Sequence, residues 1–304
     1  MKKTPPGTID THQHVFWHGR DDNGLIRDMD EHGIDLAWLL TWEIPAYSTH
    51  PPTLEGYAKV LNPARIRPDG THPGIVLEDL LAAHRNHPGR FVLGYCPDPL
   101  LPNAPQLFET ACDMYGVRVC GEWKFRIPFD DPRCLELFRA AGRRNAPVVL
   151  HLDVPFLPPA GGSYIPLWYG GTVDHLERAL LACPETRFIG HAPGFWRELY
   201  DDADHSARIY PEGPATGVGR LEKLFAMHPN LYADLSAGSA LRALRRDPAR
   251  STDFLQRHRN RLLFARDFYG DELHTFLATL SLDPETERLL YRENALALVP
   301  LQSN

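Results

Sequence analysis

Six residues able to hold a divalent cation are spread along the 304-residue chain: His12, His14, Glu122, His151, His191 and Asp267. The first two end the run Ile9-Asp10-Thr11-His12-Gln13-His14. The others stand in Gly121-Glu122-Trp123, Leu150-His151-Leu152, Gly190-His191-Ala192 and Arg266-Asp267-Phe268. Imidazole nitrogens and carboxylate oxygens are a donor set suited to Zn²⁺, Mn²⁺ or Fe²⁺. Singly each is weak evidence. An HxH pair in a chain with 15 histidines is more often structural, and Asp267 alone could cap the following helix. The set carries weight only if one fold brings its members together.

Short β-branched and aromatic runs supply such a fold. They predict strands at about Thr8–Thr11, Ile34–Thr41, Phe91–Pro97, Val117–Phe125, Pro147–Asp153, Arg187–His191, Leu231–Ser236 and Arg261–Asp267. Helical patterns are clearest at Ile75–Asn86, Ala104–Tyr115, Pro132–Asn145, Val173–Ala182, Gly219–Met227 and Ser251–His258. Two more, near Asp271–Leu280 and Pro284–Leu298, close the chain. Eight strands alternating with helices predict parallel βαβ units and, most simply, a closed, distorted (β/α)8 TIM barrel. The alternative, an open doubly wound sheet, usually carries a Gly-rich turn after its first strand, where this chain has His12-Gln13-His14.

Five proposed strands end in the six residues, so closure would gather them at the mouth. Alternation points His12 and His14 to one side. It also places Cys120, Glu122, Lys124 and Arg126 on one side, with Val119, Trp123 and Phe125 on the other. Three stretches are too long for simple connections, 42–74, 154–171 and 193–216, and all follow strands, on the face where barrel enzymes keep their sites. No repeat or linker divides the chain, so one domain over residues 1–304 is expected.

Composition narrows the function class. With 32 Lys+Arg against 39 Asp+Glu, the net charge of −7 argues against general nucleic-acid binding. No apolar run is long enough to cross a bilayer, and the start of the chain lacks the pattern of a signal peptide. Cys96, Cys112, Cys120, Cys134 and Cys183 are odd in number and form no CxxC pair, as expected of reduced thiols in a cytoplasmic protein. The expected partner is a small-molecule substrate. A homo-oligomer stays open, because nothing in the sequence locates an interface.

The order HxH on the first strand, His on the fifth, His on the sixth and Asp on the eighth resembles the amidohydrolase superfamily. The segments Phe188-Ile189-Gly190-His191, Leu231-Tyr232-Ala233-Asp234-Leu235-Ser236 and Glu293-Asn294-Ala295-Leu296 are similar to its amidohydrolase-related (amidohydrolase 2) branch. The resemblance implies a distorted TIM barrel with metal at its mouth, held by His12, His14, His151, His191 and Asp267. That branch holds lactonases and other hydrolases together with decarboxylases and hydratases, so the reaction stays open. Two departures stand out. Arg266 precedes Asp267 where a small residue or threonine is usual; it either makes a structural salt bridge or folds over the mouth to bind an anion. Gly121-Glu122 is similar to TatD-like members, in which the glutamate bridges two metals; otherwise Glu122 pairs with Lys124 or Arg126. Lys124 could itself be a carboxylated bridging lysine, although a contact to a substrate carboxylate fits better.

The expected chemistry is hydrolysis of a C–O or C–N bond by a metal-activated water, with one or two ions, Zn²⁺ first. Asp267 is the proton carrier, and His191 assists at the carbonyl. Non-oxidative decarboxylation of a small, including aromatic, carboxylic acid is the alternative. A binding protein that lost its chemistry and a TatD-like nuclease are lesser rivals. Candidate substrate contacts are Trp42, Glu43, Lys124, Arg126, Asp153 and Trp196, with Tyr47, Tyr95, Asp98, Tyr164, Trp168 and Phe195 nearby; rings packing the loops onto the barrel are the plainer alternative. The other histidines named, His18, His50, His72, His84, His87, His175, His205, His228, His258 and His274, mostly read as surface or loop residues. The run Asp201-Asp202-Ala203-Asp204 reads as a solvated loop.

Overall fold

The computed structural model describes residues 4–45, 61–154, 168–201 and 208–301. Tyr47, His50, Tyr164, His205 and most of the run at 201–204 lie outside the described residues. Eight parallel strands form where the β-branched runs predict them. They are β1 (Thr8–Gln13), β2 (Ile34–Leu40), β3 (Phe91–Gly94), β4 (Cys120–Trp123), β5 (Val148–His151), β6 (Phe188–His191), β7 (Leu231–Asp234) and β8 (Leu262–Leu263). Ladders join β1 to β2 to β3, and β4 through β8 in sequence order.

Two further seams close the ring. Between β3 and β4, Gly94 bridges Val119, and the Tyr95 amide donates to the Val119 carbonyl at 2.9 Å. Between β8 and β1, the Thr11 amide reaches the Phe264 carbonyl at 3.0 Å and the Asp267 amide reaches the His12 carbonyl at 2.9 Å. The expected closed barrel is the fold observed, and the open sheet is excluded.

The barrel interior is apolar. Ile9, Trp38, Leu40, Val92, Val119, Val149, Ile189 and Leu263 meet there, and Ala295 and Leu298 of the last helix, with Val299 just after it, plug the lower end. A larger apolar layer lies between the strands and the surrounding helices. Every strand is thus buried on both faces, which is why its sequence reads as a near-continuous apolar run.

The helices sit close to their predicted spans, with informative differences. Gly74–Ile75 pairs antiparallel with Trp42–Glu43, so the following helix starts at Leu77 rather than at Ile75. The last predicted helix is broken into Pro284–Arg288, a π-turn at Leu289–Glu293, and Asn294–Leu298. Helices at Asp22–His32 and Ala237–Arg245 were not singled out by periodicity. The buried face of the first includes Asp22, Asp28 and His32; that of the second includes Ser239, Ala240 and Ala243. On the first helix, polar residues on the inner face blur the apolar period that announces a helix; the second carries that period, with Leu241 and Leu244 on its buried face.

Candidate metal centre

The apolar floor sets which residues reach the mouth. Val149 and Ile189 point into the barrel, so His151 and His191, two positions on and directly opposite each other in register, point inward at the strand ends. Asp267 lies four positions beyond inward-facing Leu263. Its backbone is left-handed, at φ 49°, a conformation aspartate tolerates better than most residues. Its amide donates to the His12 carbonyl, and its carbonyl accepts from the Trp17 indole at 3.0 Å. On β1 the pairing register shifts between Asp10 and Gln13, and both histidines of the HxH pair still turn toward the axis.

Their tips converge. The Nε2 atoms of His12 and His14 are 3.3 Å apart. Asp267 Oδ1 lies 3.5 Å from His14 Nε2 and 3.9 Å from His12 Nε2, and its Oδ2 lies 3.6 Å from His191 Nε2. Glu122 faces the same point, with Oε1 3.6 Å from His191 Nε2 and Oε2 3.5 Å from His14 Nε2. Three groupings with ligand atoms within 4.8 Å of one another result among the described residues: His12–His14–Asp267 and Glu122–His151–His191 at the mouth, and His12–His191–Asp234 behind them.

The far ring nitrogens are fixed from behind. The Leu40 carbonyl, 2.8 Å from His14 Nδ1, can only accept, so that nitrogen carries its proton. Asp234, wholly buried at the end of β7, lies 2.9 Å from His12 Nδ1 and 3.1 Å from His191 Nδ1. It also accepts from the Ser236 hydroxyl at 2.5 Å and amide at 3.1 Å. With Nδ1–H engaged in this way, the Nε2 lone pairs are turned inward, as metal-binding histidines require. His191 Nε2 and Asp267 Oδ1 are buried atoms without a hydrogen-bond partner. Asp234 drew no role from the sequence. The signal available was its position two residues beyond Tyr232, which packs toward the barrel interior.

Electrostatics agree with a cation site. Burial works against charge on His12, yet the carboxylates of Asp267, Asp234 and Glu122 raise its pKa to about 9. His191 is lowered, chiefly by burial and in spite of Asp234, which favours the neutral, ligating form. Burial would raise Glu122, but Lys124 and His151 hold it well below the usual carboxylate range; Asp234 is likewise held low by His191 and His12. Three carboxylates around inward-facing lone pairs leave negative charge that a divalent ion would offset. The residues fit the group.

Glu122 arrives by a route the alternation did not predict. Cys120 pairs with Val148 and Trp123 with Leu150, so three steps on β4 match two on β5, a bulge. Cys120 and Trp123 both face the outer layer, with Cys120 Sγ 3.8 Å from Cys96 Sγ, and Glu122 turns to the mouth between them. Cys120 and Glu122 therefore do not share a side. His151 also differs from the other imidazoles, because both its nitrogens meet carboxylates: Nδ1 to Glu122 at 2.5 Å and Nε2 to Asp153 at 3.0 Å.

The proposed substrate contacts divide. Lys124 is buried near the mouth, its Nζ 4.2 Å from the Trp42 ring centre and 5.5 Å from that of Tyr169. Glu43 and Arg126 are half-buried, and burial together with nearby Asp98 pushes the Glu43 carboxyl up to about 7. Asp98 itself closes a turn by accepting from the Leu100 amide at 2.9 Å. Trp196 is a correction: only 1% exposed, it packs edge-to-face with Phe195 and Phe254 and donates to the Asp234 carbonyl at 3.1 Å, so it braces the site from outside the mouth. Arg266 makes the structural salt bridge, to Asp10 at 2.7 Å and Asp28 at 2.8 Å. Asp267 does not cap the next helix, which begins after Asp271. Four histidines read as surface or loop residues are buried: His72, His228, His258 and His274. Each is tied down by a hydrogen bond, His228 to Glu177, His258 to Glu222, His274 to Tyr291 and His72 to the Asn62 carbonyl. All five cysteines are free.

Neither a known family model nor a curated protein sequence matches the chain. Solved structures do. 5-Carboxyvanillate decarboxylase from Sphingomonas paucimobilis aligns over 98% of this chain and 100% of its own at 15% identity, with a TM-score of 0.62. A candidate 2-pyrone-4,6-dicarboxylic acid hydrolase from Pseudomonas putida aligns over 97% of each chain at 15% identity, TM-score 0.58. A dihydroxybenzoic acid decarboxylase from Polaromonas sp., with bound manganese and 2-nitroresorcinol, aligns over 97% of each at 17% identity, TM-score 0.57. Over 97–98% of its length this chain aligns with the barrel fold of these decarboxylases and of the candidate hydrolase, the fold that its resemblance to the amidohydrolase superfamily implied.

Proposed function

We propose that the chain is a single-domain, metal-dependent hydrolase that cleaves a C–O or C–N bond in a lactone, ester or amide of a small organic acid. The observation that carries this is the convergence of His12, His14 and His191 Nε2 with Asp267 Oδ1, two of these atoms being buried and unpartnered. His12, His14 and Asp267 would hold one divalent ion, Zn²⁺ or, from the same donors, Mn²⁺ or Fe²⁺. Glu122, His151 and His191 would hold a second, with Glu122 reaching both groups.

Such an ion would bring the pKa of bound water near neutrality and polarise a carbonyl. The chain's own groups supply the rest. Asp267, whose side chain is 13% exposed at the mouth, takes the proton from the attacking water and delivers it to the leaving group. His191, kept neutral, turns its Nε2 lone pair toward the second ion while Asp234 holds its Nδ1–H. The Lys124 ammonium, between Trp42 and Tyr169, binds a substrate carboxylate.

A decarboxylase is the second reading, favoured by the decarboxylases that share this fold. There Lys124 would orient the acid and Asp267 would protonate the ring carbon.

Elemental analysis of protein purified without chelators, alongside His12→Ala, tests the assignment. The expected result is one or two equivalents of metal, with metal and turnover of lactones, esters or amides lost together in the variant. Wild-type protein that takes up neither Zn²⁺ nor Mn²⁺ would overturn it. Release of CO₂ from aromatic acids without consumption of water would select the decarboxylase.

A further inference from the structure

The opposite end of the barrel holds a cavity of about 500 Å³. Arg118 lies just before β4, Arg187 just before β6, and Arg144 just after the helix Pro132–Arg143; all three line it. Val117, Leu298 and Val299 supply apolar wall, the last two belonging to the plug under the barrel.

The arginines of this chain fall into two groups, those that bind a carboxylate and those, such as Arg139, Arg250, Arg261 and Arg292, that donate to backbone carbonyls. Arg143, Arg178, Arg220, Arg245 and Arg257 each bind a carboxylate. Arg118 and Arg187 have no carboxylate partner among the described residues. Arg118 donates to the Pro300 carbonyl, and Arg187 donates to the Asn145 carbonyl at 2.6 Å. Arg144 reaches Asp113 at 2.6 Å. A guanidinium has about five N–H donors in a planar fork, so most of this capacity is unspent. Arg118 and Arg187, whose charges no carboxylate among the described residues offsets, repel each other across the cavity less when an anion sits between them. In a chain of net charge −7, such a grouping is not explained by general surface basicity.

We propose that this cavity binds a small multivalent oxyanion, a phosphate or a polycarboxylate, held in bidentate fashion by Arg118 and Arg187 with Arg144 at the rim. The volume of about 500 Å³ suits a small organic or inorganic anion. Arg118 grips Pro300, next to the plug residues Leu298 and Val299, so occupancy also braces the barrel floor.

The test is calorimetric titration of the metal-loaded protein with pyrophosphate and, separately, with citrate, at ionic strength matched by sodium chloride. Saturable binding of at least one is expected, and the tighter of the two assigns the source. Arg118→Met and Arg187→Met should each weaken it about tenfold or more, with metal content unchanged. Exposed Arg144→Ala serves as a second variant should the first two fail to fold, and it should weaken binding in the same direction. Absence of saturable binding for both anions overturns the proposal. So does affinity that survives all the folded variants, which would place the anion on the metal instead.

Discussion

The two ends of this barrel handle charge in opposite ways. At the mouth, Glu122, Asp234 and Asp267 stand among four imidazoles, and nearly every group answers another at hydrogen-bond distance. The few atoms left over, His191 Nε2 and Asp267 Oδ1, aim at a common point. At the floor, three arginines border open space and mostly spend their donors on carbonyls. Buried charge must be compensated inside the structure, whereas half-exposed charge is screened by water and salt. Deleting a group at the mouth therefore strands its partners, and deleting one at the floor mainly loses a ligand.

The largest effect should come from the buried pair behind the mouth. Arg266→Met leaves buried Asp10 without its cation and Asp28 with Arg20 alone of its two guanidinium partners, and should cost about 3–5 kcal/mol in urea unfolding. A loss below about 1 kcal/mol, the range of exposed pairs, would erase the contrast between the two ends.

Asp234→Asn sharpens it from the other side. The amide can no longer accept from both His12 and His191 as a carboxylate does, so metal affinity should fall about 10–100-fold with little loss of helix content. Competition with a chromophoric chelator reads this directly. Unchanged affinity would mean that the imidazoles hold their tautomers without Asp234.

The smallest effect concerns Glu43. Its folded pKa of about 7 lies above the ordinary value of 4.5, so the folded state binds the extra proton. Its contribution to stability is complete below pH 4.5 and is lost as pH rises through about 7. Denaturation of wild type and Glu43→Gln at pH 5 and pH 8 should show the variant gaining at pH 8 relative to wild type. A gain only at pH 5 would reverse the assignment.

Much of the architecture was legible locally. Seven of the eight strands fall within the β-branched runs that predict them and β1 runs two residues past its own, to Gln13, because a strand buried on both faces must be apolar along most of its length. On β5, β6 and β8 simple parity carries the floor residue to its mouth residue: Val149 to His151, Ile189 to His191, Leu263 to Asp267. Parity failed on β4, where the bulge separates Cys120 from Glu122; such a shift depends on the neighbouring strand and leaves no mark in the run itself. The helix Asp22–His32 was obscured for a related reason. Its inward Asp28 serves Arg266, a partner far off in sequence.

What the sequence determined by itself was the set of donors and the period that delivers them to strand ends, since side-chain chemistry and pleat parity are local properties. Closure of the ring, the tautomers imposed by Asp234 and Leu40, the withdrawal of Trp196 into the core and the capture of Arg266 by Asp10 were decided only in three dimensions. Each joins residues tens to hundreds of positions apart. A buried polar group is fixed by whichever partner the packed chain brings within about 3 Å, and no local pattern names that partner.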